Sequence, residues 1–425
     1  MLAPQRGLVR YLFLDLNAFF ASVEQQEDAS LRGRPVAVGA VNTPSSAVIA
    51  ASYEAKAYGI KTGTNIGEAL QMCPELILVR SEAPKYMAYH DMILEAVDQV
   101  LPVRKVHSID ELDCQLIGKE QTEEESRRLA ERIKKQILTD VGECLTCSVG
   151  LAPNSFLAKV ASDMQKPNGL VHLTSEVLHD RLCELPLKAL PGINYRMAAR
   201  LGASGIFSVS DLLSRSEAEL RSAFGSVVGA RWWYKLRGYD YEDEPVKKRS
   251  LGHSHVLPPD LRSPDGAREV LIRLASKAAA RLRSKLLLAG ELTVSVKEQR
   301  ESWHAGRKLN SCSDSTSIVS ATLEIWDKCP LRYPRQVGVA LSDLRPEDQV
   351  TPSLFDDTRD QREKLSSAID GVNQKMGKNS IYVASMSRAK DTASEKLAFQ
   401  KTSLFSEGKD DNVWVNTRNT EMLTP

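Results

Sequence analysis

Val106-His107-Ser108-Ile109-Asp110-Glu111 is the stretch from which the fold is read, together with Leu12-Phe13-Leu14-Asp15-Leu16-Asn17-Ala18-Phe19-Phe20 earlier in the chain. Each contains a short apolar run of strand type that delivers carboxylate at its end. Carboxylates gathered on apolar strands repel one another and lose hydration, so such a cluster calls for cations. Hard oxygen donors without nearby cysteine favour Mg²⁺, which takes a few carboxylates plus substrate phosphates. Taken alone, either segment reads more readily as a strand merely capped by an acid. Together, Asp15, Asp110 and Glu111 read as one metal-binding group.

A chain of 425 residues is too long for one core, so several domains are expected. With 42% apolar and 26% charged residues it has the composition of a soluble globular protein. No apolar run is long enough for a membrane span, and no signal-peptide pattern opens the chain, so the expected location is the cytoplasm. The seven scattered cysteines agree with a reducing compartment. Cys144 and Cys147 form a lone C-x-x-C in a strand-like run, which reads as core thiols and not as half of a zinc site.

From Arg10 to about residue 172 strands and helices alternate, which predicts a mixed α/β layer with its helices on one side. The strand Val36–Ala40 is followed by a helix over Ala47–Tyr58, ended by Gly59, and another over Thr64–Met72. This part reads as a small, mostly helical insertion between the carboxylate-bearing strands. Apolar positions at helical spacing predict helices over 86–101 and 122–138. Near residue 185 the pattern becomes helix, Pro191-Gly192-Ile193-Asn194, helix, as in a hairpin that offers backbone N–H groups to phosphate. A plain turn in a helix bundle gives the same pattern.

The net charge of +1 conceals an uneven distribution. Residues 247–310 carry fourteen Lys or Arg against six Asp or Glu, whereas 346–425 carry eleven against thirteen. After the charged linker with Lys247, Lys248 and Arg249, a basic helix is predicted from Pro264 to Leu288, bearing Arg273, Lys277, Arg281 and Arg283. Strands are predicted at Gly290–Lys297, Ser317–Leu323 and Gln336–Leu344. This basic α+β unit is expected to hold nucleic acid through the helix. Beyond Leu344 the sequence loosens: a helix over 361–377 is allowed, and 384–425 reads as disordered.

The run Asp15-Leu16-Asn17-Ala18-Phe19-Phe20-Ala21-Ser22-Val23-Glu24, the tetrad Ser108-Ile109-Asp110-Glu111, Tyr53-Glu54-Ala55-Lys56, and the long stretch from Phe156-Leu157-Ala158-Lys159 to Lys166-Pro167-Asn168-Gly169 resemble the Y-family translesion DNA polymerases. The likeness is to bacterial polymerase IV in the core. Leu354-Phe355-Asp356-Asp357 and Asp370-Gly371-Val372-Asn373 are similar to the tail of the polymerase V catalytic subunit.

The resemblance implies a right-hand polymerase of α/β and α+β domains: palm (1–25 and 86–175), small fingers (26–85), a helix-hairpin-helix thumb (176–243), a little finger (244–345) and a tail (346–425). It implies that Asp15, Asp110 and Glu111, with the Leu16 carbonyl, hold two Mg²⁺ ions. Phe19, Phe20, Tyr53, Lys56 and Lys166 would bind the nucleotide, with Phe20 as steric gate against a 2′-hydroxyl and Ala47 and Ile49 roofing the nascent pair. Gly192, Asn194 and the basic residues named above would bind DNA. Partners implied are primer-template DNA, dNTPs, a sliding clamp bound through Leu354-Phe355 or Leu404-Phe405, and, in some relatives, an accessory subunit. No membrane is involved.

Against the family pattern, Lys56 replaces a usual Arg, Ala50 a usual Thr, and Leu112-Asp113-Cys114-Gln115 a usual Ala-Phe-Leu-Asp. Asn194 takes the place of a frequent glycine, where a positive φ is expected. The activity implied is low-fidelity, template-directed synthesis past damaged bases. The alternative is a catalytically silent adaptor of the same fold, which retention of the three acids disfavours. A small-molecule two-metal phosphotransferase leaves the basic unit and the hairpin without a use.

Overall fold

The computed structural model describes residues 2–40, 44, 46–241, 249–299, 301–351 and 358–392. Lys247, Lys248 and both candidate clamp peptides lie outside the described residues. The chain divides into two units, one within Met1–Asp243 and one within Glu244–Lys396.

In the first unit, β1 (Tyr11–Leu16) leads into α1 (Phe19–Glu27); then follow β2 (Val36–Gly39), β3 (Val48–Ala51), α2 (Tyr53–Ala57), α3 (Ile66–Met72), β4 (Ile77–Arg80) and α4 (Ala83–Asp98). The chain continues through β5 (Val103–Val106), β6 (Glu111–Gln115), α5 (Glu123–Asp140), β7 (Cys147–Ala152), α6 (Ser155–Met164) and β8 (Leu170–His172). The main sheet has the order β5-β6-β1-β7-β8, with β1 central and antiparallel to both neighbours. Side chains alternate across a strand. Leu12, Leu14 and Leu16 therefore enter a core with α4 and α5, while Tyr11 and Phe13 enter another with α6. The expectation of helices on one side fails here. Both faces are covered, because β1 is apolar at odd and even positions alike.

A second correction concerns the insertion. Val48–Ala51 is a strand, and β3-β2-β4 form a small sheet of their own. The helix expected over Ala47–Tyr58 shrinks to α2, which starts where Ser52 caps it by accepting from the Ala55 N–H. Cys147 is buried and Cys144 half-buried, both free thiols.

A run of short helices closes the unit: α7 (Leu178–Cys183), α8 (Tyr195–Ala203), α9 (Val209–Ser214), α10 (Glu217–Phe224) and α11 (Val227–Leu236). Gly192 has φ +98°, a conformation that favours glycine. Asn194, expected at positive φ, instead has φ −81° and caps α8, its side chain accepting from the Met197 N–H at 2.9 Å.

The second unit comprises β9 (Ser250–Val256), α12 (Pro264–Ser284), β10 (Leu287–Glu298), β11 (Glu301–Cys312), α13 (Ser315–Trp326), β12 (Gln336–Pro346) and α14 (Arg359–Met376). Its sheet runs β11-β10-β12-β9, wholly antiparallel. The strand expected at Ser317–Leu323 is the helix α13. Asp314 caps it, and Ile318, Ala321, Thr322 and Ile325 recur at helical spacing to bury one face. Residues 384–389, expected to be disordered, form a helical turn that buries Met386 and Ala389, the latter in the core around α12.

Candidate active site

The register of β1 against β6 sets Asp15 opposite Glu111. Both project from the sheet face that carries α6, since Asp15 shares the parity of Tyr11 and Phe13. Asp110 lies in the turn just before β6, and its carbonyl accepts from the Leu16 N–H at 2.9 Å, tying that turn to β1. The three acids and Leu16 line one cleft of about 270 Å³, with Phe19 and Phe20 in the same wall. Ala18, at φ 50°, turns the chain so that α1 begins immediately beyond the carboxylate. Ile49 also lines the cleft, whereas Ala47 does not; its place is an exposed β-bridge to Asn65.

Two lysines from one motif enter this cleft. Lys166 pairs with Asp15 at 2.7 Å and with Asp163 at 2.8 Å. Lys159, to which the sequence reading gave no role, contacts Asp15 and bridges to Glu111 at 2.8 Å and to Asp163 at 3.2 Å. Burial alone favours the neutral amine, but Asp15, Asp163 and Glu111 outweigh it and raise the pKa of Lys159 above its usual value. The signal was available: Lys159, Asp163 and Lys166 are spaced i, i+4, i+7 around one helix end. The turn carrying Lys166 is held by Asn17, whose Oδ1 accepts from the Asn168 N–H at 2.8 Å while its Nδ2 donates to Ser148 at 3.0 Å. Lys56 lies over the Tyr53 ring, 4.1 Å from its centroid.

Burial pushes the Asp110 carboxyl up to about 6, and the negative charges of Glu111 and Asp15 add to this against a hydrogen bond from Ser108. Among the described residues no three His, Cys, Asp or Glu side chains form a preformed metal cage. Mg²⁺ does not need one, because it keeps waters and substrate phosphates beside one or two carboxylates. The donor set fits a divalent cation: carboxylate oxygens face one another, and the ammonium of Lys159 already occupies the cationic position between Asp15 and Glu111.

The replaced tetrad finds its explanation one residue pair further along β6. Asp113 is fully buried and takes two hydrogen bonds from Arg104 (2.8 and 2.6 Å), one shared with His107 (2.8 Å) and one from Ser155 (2.5 Å). Arg104 in turn lies over the Tyr11 ring. The four groups join β5, the turn before Asp110, β6 and the start of α6. The sequence deviation therefore builds a polar support under the carboxylate turn and leaves the acids in place.

The basic helix departs from expectation. Arg283 makes a two-pronged pair with Asp370 at 2.7 and 2.9 Å and also donates to the Ser313 carbonyl. Arg273 donates to Asn379 at 3.0 Å and to the Thr392 carbonyl. Asp370, Asn379 and Thr392 belong to the segment after β12, which packs on α12, so these two charges are used inside the unit. Lys277 and Arg281 are half-buried on the same helix, and Arg249 is exposed just before β9. The opposite face of the sheet is open. Cross-strand neighbours Glu291 and Lys308, Thr293 and Gly306, Ser295 and His304, and Lys297 and Ser302 stand there in register, mostly exposed and without a bulky apolar group.

The fold and this carboxylate cleft define a protein built for phosphoryl transfer on a multidomain frame. A family model described as the impB/mucB/samB family matches residues 14–163, and the model of that family's C-terminal domain matches residues 248–354. The chain is 35% identical over 387 residues to a DNA polymerase IV of Moorella thermoacetica, covering 88% of this chain and 95% of that protein. It is 30% identical over 424 residues to a DNA polymerase IV of Bacillus velezensis, covering 95% and 99%. Among solved structures, a Y-family DNA polymerase chimera of Dbh and Dpo4 superposes with a TM-score of 0.67 at 29% identity, covering 79% of this chain and 99% of that one. An insertion ternary complex of Dbh DNA polymerase gives 0.52 at 29% identity with the same coverage. The chain belongs to the impB/mucB/samB family of Y-family translesion polymerases and is of the polymerase IV type.

Proposed function

We propose that this protein extends a primer on a DNA template past damaged bases, joining a dNTP to the primer 3′-hydroxyl. The observation that carries the reading is the register of Asp15 opposite Glu111, with Asp110 pinned beside them, in a cleft that Lys56, Lys159 and Lys166 share. Two Mg²⁺ ions held by Asp15, Asp110, Glu111 and the Leu16 carbonyl would polarise the attacking and leaving oxygens of an in-line displacement. The protein's own part is placement and charge. Lys166 and Lys56, with the Tyr53 hydroxyl, meet the triphosphate; as point charges the lysines neutralise it without a bidentate fork. Lys159 has its own carboxylate partners and keeps Asp15 and Glu111 from repelling one another before substrate arrives. Ile49 and the small side chains of Ala50 and Ala51 offer little bulk over the nascent pair, which favours tolerance over discrimination.

Magnesium-dependent extension of a primer on undamaged and lesion-bearing templates tests this reading. A silent adaptor of the same fold binds DNA and extends nothing. Phe20 supports sugar selection by standing in the cleft wall beside Asp15. Its replacement, Phe20→Ala, is expected to lower the ratio of dNTP to rNTP incorporation efficiency by about a hundredfold, as removing a steric clash from a transition-state contact does. An unchanged ratio in an active Phe20→Ala variant assigns Phe20 to packing.

DNA is held, in this reading, along the open face of the second unit's sheet and at the Gly192 hairpin. Each duplex phosphate contact removed flattens the salt slope of log K by about 0.9. Lys297→Ala with Lys308→Ala is expected to flatten it, and Arg283→Ala to leave it unaltered. The reverse pattern in fluorescence anisotropy titrations would return the DNA to the α12 side. Contact with a sliding clamp is proposed through Leu354-Phe355 or Leu404-Phe405, and clamp-stimulated extension by the paired alanine variants decides between them.

A further inference from the structure

Glu24 is a carboxylate buried to 4% exposure on α1, one helical turn beyond Phe20. Burial of a charge is costly unless hydrogen bonds and an opposite charge compensate it. Both are present. The Tyr86 hydroxyl donates to Glu24 Oε1 at 2.6 Å, and Lys85 Nζ reaches Oε2 at 2.8 Å. Tyr86, on α4, is itself fully buried, and its ring stacks on Phe20 with centroids 4.3 Å apart and planes at 29°. Phe20 and Glu24 are four residues apart and therefore lie on one helix face. Tyr86 thus spans both, with its ring behind Phe20 and its hydroxyl on Glu24. Burial and the nearby Glu24 charge raise the Tyr86 pKa, which keeps the phenol protonated and donating.

An apolar pair would fill the same volume at less electrostatic cost. What the charged arrangement adds is a single fixed position for the Tyr86 ring, since a hydrogen bond to a buried carboxylate is strong and directional. A steric gate works only when its ring cannot retreat, and in a close-packed interior that depends on what lies behind it.

We propose that Glu24 is a positioning residue for sugar selection: it locks Tyr86, and Tyr86 holds Phe20 against the nucleotide sugar. This rests on the gate role of Phe20 proposed above. The measurement is the ratio of kcat/KM for dNTP to that for the matching rNTP, on undamaged primer-template with Mg²⁺. Tyr86→Phe keeps the ring and removes the hydroxyl. It is expected to lower the ratio about fivefold, the worth of one lost buried hydrogen bond, chiefly by improving rNTP use. Glu24→Gln keeps an acceptor for Tyr86 but loses the charge, and should fall between this variant and wild type. Tyr86→Leu removes the backing ring and should lower the ratio further.

In a Phe20→Ala background Tyr86→Phe should add nothing, because the effect passes through Phe20. A ratio unchanged in Tyr86→Phe and Glu24→Gln, even with reduced thermal stability, overturns the proposal by making the cluster purely structural. So does an effect of Tyr86→Phe that persists without Phe20. The gate reading itself is judged separately: it fails when Phe20→Ala alone leaves the ratio unchanged.

Discussion

Asp110→Ala and Glu111→Ala are each expected to lower nucleotide incorporation by at least about a thousandfold while leaving primer-template affinity close to that of the wild type. Electrostatic groups aimed at the transferring phosphoryl act on the transition state, and losing even one such hydrogen-bond donor costs roughly a hundred- to a thousandfold. DNA affinity depends instead on phosphate contacts made elsewhere. Single-turnover incorporation and anisotropy on the same samples separate the two effects. Wild-type extension by either variant removes the metal assignment. Asp110→Asn sharpens the test, because it keeps the shape and the Ser108 partnership while discarding the charge. A parallel loss in Asp110→Asn attributes the defect to charge and not to collapse of the turn.

Asp113→Ala is expected to destabilise the first unit by about 3–5 kcal/mol, the range for breaking a buried ion pair from one side. Arg104 and His107 lose their common acceptor, and Ser155 loses its partner at the start of α6. Urea unfolding reads the loss as a lower midpoint at unchanged slope. Burial alone would raise the Asp113 pKa, but the hydrogen bonds from His107 and Arg104 overcome it and hold the carboxyl below its ordinary value. A folded-state pKa below the unfolded one gives stability that is complete above the unfolded value and disappears as pH falls through the folded value. Wild type and Asp113→Ala should therefore differ most at neutral pH and converge in acid. A midpoint difference that stays constant down to acid pH counts against this origin.

The carboxylate strands were legible because a short continuous apolar run ending in acid suits a buried strand. The hairpin at Gly192 was legible because glycine marks positive φ. The strand Val48–Ala51 was not, since a run of small residues suits helix and strand alike and only pairing with Val36–Gly39 decides it. Ser315–Trp326 reads the other way: Thr316, Ile318, Val319, Thr322 and Ile325 are β-branched and favour strand locally, and burial against α12 overrides them. Asp15, Asp110 and Glu111 meet in one cleft as their motifs implied. Lys159 does not stand out within its motif, because its partners Asp15 and Glu111 are distant in sequence. The internal partners of Arg273 and Arg283 on α12 are hidden from the sequence for the same reason. Charge composition shows that a helix is basic, and nothing in it reveals that Asp370 and the Thr392 carbonyl lie waiting for Arg283 and Arg273.

That last arrangement changes where the second unit ends. After β12 the chain returns to α12 and closes over it: Arg388 pairs with Glu269 at 2.5 Å, Ser366 accepts from the Ser315 N–H at 3.1 Å, and Ala389 is fully buried. Cutting the gene at the last strand would strand two half-buried guanidinium groups and open an apolar slot on the helix. A trypsin-resistant fragment of this unit should accordingly run past residue 389, and shorter recombinant versions ending near 351 should be prone to aggregate through the uncovered slot.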